Sequence, residues 1–420
     1  MSENVLFSQK PDKLTISFWI WGPWGDVYED YDLRMRELSE RGFNCIRTES
    51  GAGLVCNTKG EPRGVVNINN PFGEYTKNVR QLDTVKQNSK VNLLDRITEM
   101  FRAAEKNDVY IILSTWYYLH TNWFYDNEIN DELLNLSPEE RFEYFSDELD
   151  RILAHLRKNK LIHRVAFAEI FNELDGIFKQ RDDEYELEIR ALHEKAIEKL
   201  KRNNPDVLFA YDVTGPYVPE KFIPRNADVI NYHCYYAWPV YDIFENGALF
   251  QPITSKEIPA ETMKYIKSVI YPNDVMNKYD GRRIDVGDDW KWRVALYSSI
   301  APEKIPELEA ALEKYFNEHI ADYKNTLETE AKKIVEVRNR CVPDARIVMG
   351  EGVTYCASNY LHFEEKSDEY FKLMLHQSEV LGQNGIWGAV ARTTSGPEDS
   401  SWESRKDDYI KVNKRFLNGK

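Results

Sequence analysis

Several absences narrow what this sequence of 420 residues can do. No apolar run approaches the roughly 18 residues of a membrane-spanning helix, so no membrane partner is expected. The start, MSENVLFSQKPDK, lacks the basic stretch, apolar core and small-residue cleavage site of a secretory signal, which makes the cytoplasm the expected location. The five cysteines (Cys45, Cys56, Cys234, Cys341 and Cys356) are odd in number, scattered and without a CxxC pair, so they are expected as free thiols. Neither GxGxxG nor GxxxxGK[ST] occurs, which removes support for a nucleotide, and no GxSxG elbow offers a serine nucleophile. The eight histidines are dispersed and the first predicted strand ends in WIW rather than HxH, so neither a catalytic metal nor any other cofactor is expected. Basic clusters are missing too: 55 Lys and Arg against 70 Asp and Glu leave a net charge of -15, which opposes binding to nucleic acid.

What is present is repetition. Short runs rich in β-branched and aromatic residues alternate with longer segments whose apolar residues recur every three or four positions, the pattern of a parallel sheet with crossover helices. The predicted strands are 14–21, 43–49, 109–118, 164–173, 206–214, 227–236, 346–355 and 385–393. Between them YDLRMRELSERG, VNLLDRITEMFRAAEKN, PEERFEYFSDELDRILAHLRKN and EYELEIRALHEKAIEKLKRNN read as helices that stop at Gly, Asn or Lys-Asn. Eight such units fit an α/β fold of the closed (β/α)8 TIM-barrel type better than an open doubly wound sheet. The expected organisation is one catalytic domain over 1–420, with long insertions after the second strand (about 50–90) and the sixth (about 237–300), where a barrel places its functional loops.

Two predicted strands finish in glutamate. In RVAFAEIFNELDG regular alternation puts Phe167, Glu169, Phe171 and Glu173 on one face and Asn172 on the other. In RIVMGEGVTY it puts Ile347, Met349 and Glu351 together, with glycines on both sides of Glu351 that leave room for a ligand. Cleaving a glycosidic bond takes one carboxyl group to protonate the leaving oxygen and another to attack the anomeric carbon or direct water to it; their separation decides between retention and inversion. The alternative for either residue is a salt-bridged strand end.

Glu169-Ile-Phe-Asn172-Glu173 on the fourth predicted strand resembles the E-x-x-N-E signature of clan A retaining glycoside hydrolases, in particular the cellulase-like family 5. The resemblance implies Glu173 as general acid/base, Glu351 on the seventh strand as nucleophile, and Asn172 as a donor to the substrate's 2-hydroxyl. It further implies that Arg47, ending the second strand, sits by the nucleophile, and that in His233-Cys-Tyr235 the tyrosine hydrogen-bonds the nucleophile while the histidine lines the sugar site. Leu174 stands where the family frequently has proline. The usual platform tryptophan near the end of the eighth strand is not matched in place, since Trp387 comes early; either Trp402 replaces it or the subsite differs, and His120 follows the third strand at some distance.

Sugar rings stack on indole and phenol faces. Trp24 and Trp238, next to Pro or Gly in loops, are the stronger candidates among the aromatics at strand ends (Trp19, Trp21, Trp116, Tyr117, Tyr118 and Tyr236 being others). The expectation is a retaining β-glycosidase acting on a β-linked oligosaccharide or glycoside, with a non-catalytic sugar-binding barrel and a transglycosylase as the alternatives.

Overall fold

The computed structural model describes residues 6–80, 82–116, 124–179, 181–245, 260–276, 278–279, 282–283, 288–354, 358–359, 361–393 and 395–419. His120, Tyr117, Tyr118 and Cys356 lie outside them. Twelve strands occur among the described residues: β1 Leu14–Trp19, β2 Cys45–Glu49, β3 Val65–Ile68, β4 Ser89–Asn92, β5 Tyr110–Ser114, β6 Val165–Glu169, β7 Phe209–Val213, β8 Val229–Ala237, β9 Lys278–Tyr279, β10 Arg282–Arg283, β11 Arg346–Thr354 and β12 Gly388–Val390. Eight of them close into an all-parallel barrel in the order β1, β12, β11, β8, β7, β6, β5, β2. These are the eight strands expected from the sequence, most of them shorter at one or both ends and β8 reaching one residue further, to Ala237. Helices cover the outside and side chains fill the inside, so β1, β2, β6 and β7 are buried along their whole length.

The helices follow from periodicity and caps. In Leu93–Lys106 the buried residues Leu93, Ile97, Met100, Phe101 and Ala104 form one stripe, and the Asn92 side chain accepts the Asp95 N–H at the start. Helix Pro138–Lys158 opens on a reciprocal capping box between Ser137 and Glu140. Trp387 sits at the N-terminal end of the barrel, edge-on to Phe7 with ring centroids 5.6 Å apart, its indole N–H donating to Pro11 O. Cys45, Cys56, Cys234 and Cys341 are buried free thiols.

The segment after β2 is more ordered than the loop expected from its glycines and prolines. Val65 to Ile68 alternate between outward and buried positions, and they pair antiparallel with Ser89 to Asn92. A 3-10 turn follows at Gly73–Asn78. The Asn78 amide donates to Ser298 Oγ (2.7 Å) on helix Asp288–Ser299, which belongs to the second insertion. Arg80, fully buried, donates to Glu364 (3.0 Å) and to Leu361 O beyond β11. The two insertions and the β11 loop are thereby tied together. No helix among the described residues is long and apolar enough to cross a membrane.

Candidate active site

Five barrel strands and the segment after one of them bring their polar side chains to one place. Arg47 comes from β2, Asp212 from β7, and Asn231, His233 and Tyr235 from alternate positions on β8. Glu351 comes from β11, and Glu169, Asn172 and Glu173 from the end of β6 and just beyond it.

Two local irregularities aim the glutamates, and neither matches regular alternation. β11 pairs Val348 with Asn231 and Met349 with Tyr232, but Glu351 with His233, so Gly350 is an extra residue in that strand. Such a bulge reverses the facing of everything after it. Glu351 therefore shares the inward face of His233, whereas Ile347 and Met349 face the other way. A β-carbon at Gly350 would stand 2.3 Å from Asn231 Oδ1, which explains why the extra residue has no side chain. On the other strand, β6 stops at Glu169, short of the expected Glu173. The Asn172 N–H donates to Thr115 O (2.8 Å), and Glu173 takes a left-handed backbone (φ 45, ψ 63) with its N–H donated to Asp212 Oδ1 at 2.6 Å. A left-handed glutamate is strained, and the surrounding bonds must hold it. Breaking the strand there delivers both Asn172 and Glu173 to the same site, although alternation assigns them to opposite faces.

Arg47 is the hub. Its fully buried guanidinium donates to Glu351 Oε1 (2.6 Å), Asn172 Oδ1 (2.5 Å), Asp212 Oδ2 (2.8 Å), Ser114 Oγ (3.1 Å) and both oxygens of Glu169 (3.2 and 3.3 Å), and it lies 4.5 Å from the Trp116 ring. The planar fork suits this better than an ammonium could. Tyr235 donates its hydroxyl to Glu351 Oε2. His233 places Nδ1 2.6 Å from Glu173 Oε1 and Nε2 3.3 Å from Asp212 Oδ2 and 3.6 Å from Glu351 Oε1. Burial pulls the His233 pKa down, but the carboxylates of Asp212, Glu351 and Glu173 outweigh it and hold the ring cationic, well above its ordinary value. Burial likewise works against the Asp212 carboxylate, yet His233 and Arg47 keep it ionised, below its usual range. Glu169 goes the other way, driven up by burial despite Arg47 and further raised by Asp212. The Glu173 side chain keeps 24% of its surface and Glu351 8%, while Arg47, Asp212 and His233 keep none, so the two glutamates face the open side.

One oxygen each of Glu173 and Glu351 and one nitrogen of His233 lie within 4.8 Å of one another, the set among the described residues that could hold a metal ion. The charge argues against it. Arg47 is already bonded to Glu351, and the carboxylates around His233 favour its doubly protonated form, which has no lone pair for a cation.

No family model matches the chain, and no curated protein matches it. Solved structures do. A protein from Parabacteroides distasonis ATCC 8503, provisionally assigned as a glycoside hydrolase, superposes with a TM-score of 0.63 at 16% identity over 97% of this chain and 94% of its own. The chain shares that protein's fold, a closed (β/α)8 barrel. Less similar are a glycoside hydrolase family 5 mannosidase from Rhizomucor miehei (TM-score 0.44, 11% identity, 98% of this chain and 94% of that one) and a broad-specificity endoglucanase from Clostridium longisporum (0.47, 11%, 98% and 98%).

Within this barrel the structure gathers Arg47, Asn172, Glu173, His233, Tyr235 and Glu351. Trp238 is half-buried beside them, its ring 5.2 Å from that of Tyr235 and its indole N–H donated to Tyr235 O. Trp24 is set apart: it is buried, stacked at 6.2 Å on Trp21, which in turn meets Trp116 at 6.5 Å. Trp402 is buried away from the site between Phe43 and Tyr409. Asp212 and Asn231 were not among the residues picked from the sequence. The signal available was an acid and an amide interrupting otherwise apolar strands, at positions that face the barrel axis.

Proposed function

We propose that the chain is a retaining β-glycosidase working by double displacement. Glu173 protonates the glycosidic oxygen as Glu351 attacks the anomeric carbon; Glu173 then takes a proton from the water that releases the sugar. The observation that carries this reading is the approach of the Glu173 and Glu351 carboxylates to within 4.8 Å at their nearest oxygens, on either side of His233. That approach suits the spacing of about 5–5.5 Å between carboxyl groups in retaining enzymes, and is tight for the roughly 6.5–9.5 Å that admits a water in inverting ones. Arg47 and Tyr235, both bonded to Glu351, orient its oxygens, and Trp238 beside Tyr235 offers an aromatic face for a sugar. The substrate class proposed is a β-linked oligosaccharide or glycoside, bound under the two insertions.

The test is the anomer first released. Proton NMR during cleavage of an aryl β-glycoside panel shows the β-anomer before mutarotation if the reading holds. Initial release of the α-anomer would replace it with a single-displacement mechanism, and no cleavage of any panel member together with measurable sugar binding would replace it with the non-catalytic reading.

A further inference from the structure

The double-displacement scheme gives Asp212 no task, yet it is fully buried and both of its carboxylate oxygens accept hydrogen bonds. Its Oδ1 accepts the Glu173 N–H at 2.6 Å. Its Oδ2 accepts from Arg47 Nη2 (2.8 Å) and Asn231 Nδ2 (2.7 Å), and lies 3.3 Å from His233 Nε2. We propose that Asp212 is a positioning residue for the acid/base, one oxygen fixing the left-handed turn that presents Glu173 and the other holding the Arg47 guanidinium and facing the charged ring of His233, the two groups that flank the glutamates. This rests on the proposed role of Glu173.

The geometry allows no simple substitute. An asparagine at 212 has one accepting oxygen and one amide that only donates. If its oxygen keeps the Glu173 N–H, its amide meets the N–H groups of Arg47, Asn231 and His233; if it turns over, the Glu173 N–H is left buried against a donor. The strained backbone of Glu173 then loses the bond that over-determines it. The consequence reaches His233 as well. The charged and titratable groups that face its ring are Arg47 from β2, Glu169 and Glu173 from β6 and beyond, Asp212 from β7, Tyr235 on its own strand and Glu351 from β11. Asp212 is the foremost among those that favour the ring's second proton, and its loss returns His233 towards neutrality, leaving Glu173 without a cation at 2.6 Å.

The experiment has two arms on the full chain, wild type and Asp212→Asn. The first reads ring nitrogens by histidine 15N NMR, with His233 assigned through the loss of its signals in His233→Gln. In the wild type His233 keeps its second proton to a higher pH than an ordinary histidine, and in Asp212→Asn it loses that proton at a lower pH than in the wild type. A wild-type His233 that titrates near its ordinary value, or one unchanged by Asp212→Asn, overturns the proposal, and the wild-type half does not need Asp212→Asn to fold. The second arm compares kcat/KM on 2,4-dinitrophenyl glycosides, whose leaving group needs no proton, with phenyl glycosides, which need one. Mispositioned Glu173 makes the loss about 100-fold larger on the phenyl substrates. A purely structural role lowers both equally, and equal losses overturn the proposal. Wild type that cleaves neither substrate refutes the glycosidase reading instead, and the NMR arm then judges Asp212 alone.

Discussion

Arg47→Met is the perturbation that most directly examines how this site is held. Methionine keeps much of the length and apolar contact of the side chain but removes a guanidinium bonded to Glu351, Asp212, Glu169, Asn172 and Ser114, all inside the barrel. Taking away one partner of a buried ion pair costs about 3–5 kcal/mol, because the remaining charge is stranded without water. For a chain of 420 residues the unfolding entropy is about 0.9 kcal/mol per kelvin, so that loss lowers Tm by about 3–6 °C. The assay is differential scanning calorimetry at neutral pH, with Lys106→Met as control. The Lys106 pair with Asp32 is 2.6 Å long but lies in solvent, with 68% and 38% of the side-chain surfaces open, and removing it leaves Tm unchanged within error. Activity falls as well, since a donor aimed at the nucleophile is lost; about 100- to 1,000-fold in kcat is the expected scale. An Arg47→Met protein that melts within 1 °C of wild type would refute the reasoning, whatever its activity.

Gly350→Ala places a β-carbon 2.3 Å from Asn231 Oδ1 and must displace the bulge that aims Glu351; a stability loss of about 1–3 kcal/mol by urea unfolding and a fall in kcat with KM little changed are expected, and an unaltered kcat contradicts the role given to the bulge. Because the site's cations oppose a metal, dialysis against EDTA leaves glycosidase activity unchanged, and restoration of a lost activity by a divalent ion would show otherwise. His233, pulled down by burial but held above its ordinary value by Asp212, Glu351 and Glu173, contributes stability that is complete below about pH 6.5 and is lost as pH rises through its folded value. The Tm difference between wild type and His233→Gln is therefore largest at low pH and narrows upward; a difference that widens with pH would refute the assignment. Glu173→Ala retains cleavage of 2,4-dinitrophenyl glycosides far better than of phenyl glycosides in steady-state kinetics, and equal loss on both argues that Glu173 is not the acid.

The barrel was legible in the sequence because a parallel strand covered on both faces needs a short, nearly continuous apolar run, and eight such runs stood apart from amphipathic helices. The candidate site residues were legible as types at strand ends, but their aim was not. Regular alternation puts Glu351 with Ile347 and Met349, and only the pairing of β8 with β11 reveals that Gly350 is inserted and turns Glu351 inward. Glu173 reaches the site through a left-handed turn tied to Asp212, a contact across 39 positions that no local pattern records. Trp24 illustrates the same limit: a loop tryptophan beside Pro and Gly looks exposed, yet its neighbours Trp21 and Tyr125 come from packing that sequence spacing does not express. The hairpin at β3 and β4 was masked by glycines and prolines around it, although Val65 to Ile68 carry the two-residue alternation of a strand.

The central claim is that Glu351 forms a covalent bond to the sugar, and trapping tests it most directly. The protein is incubated with activated 2-deoxy-2-fluoro β-glycosides, its intact mass is measured, and any adduct is mapped by peptide mass spectrometry. A single added fluorosugar on the peptide containing Glu351, absent in Glu351→Gln, is the predicted result. Labelling of a different residue, or turnover of the matching natural glycosides with no adduct from any member of the panel, would contradict the account.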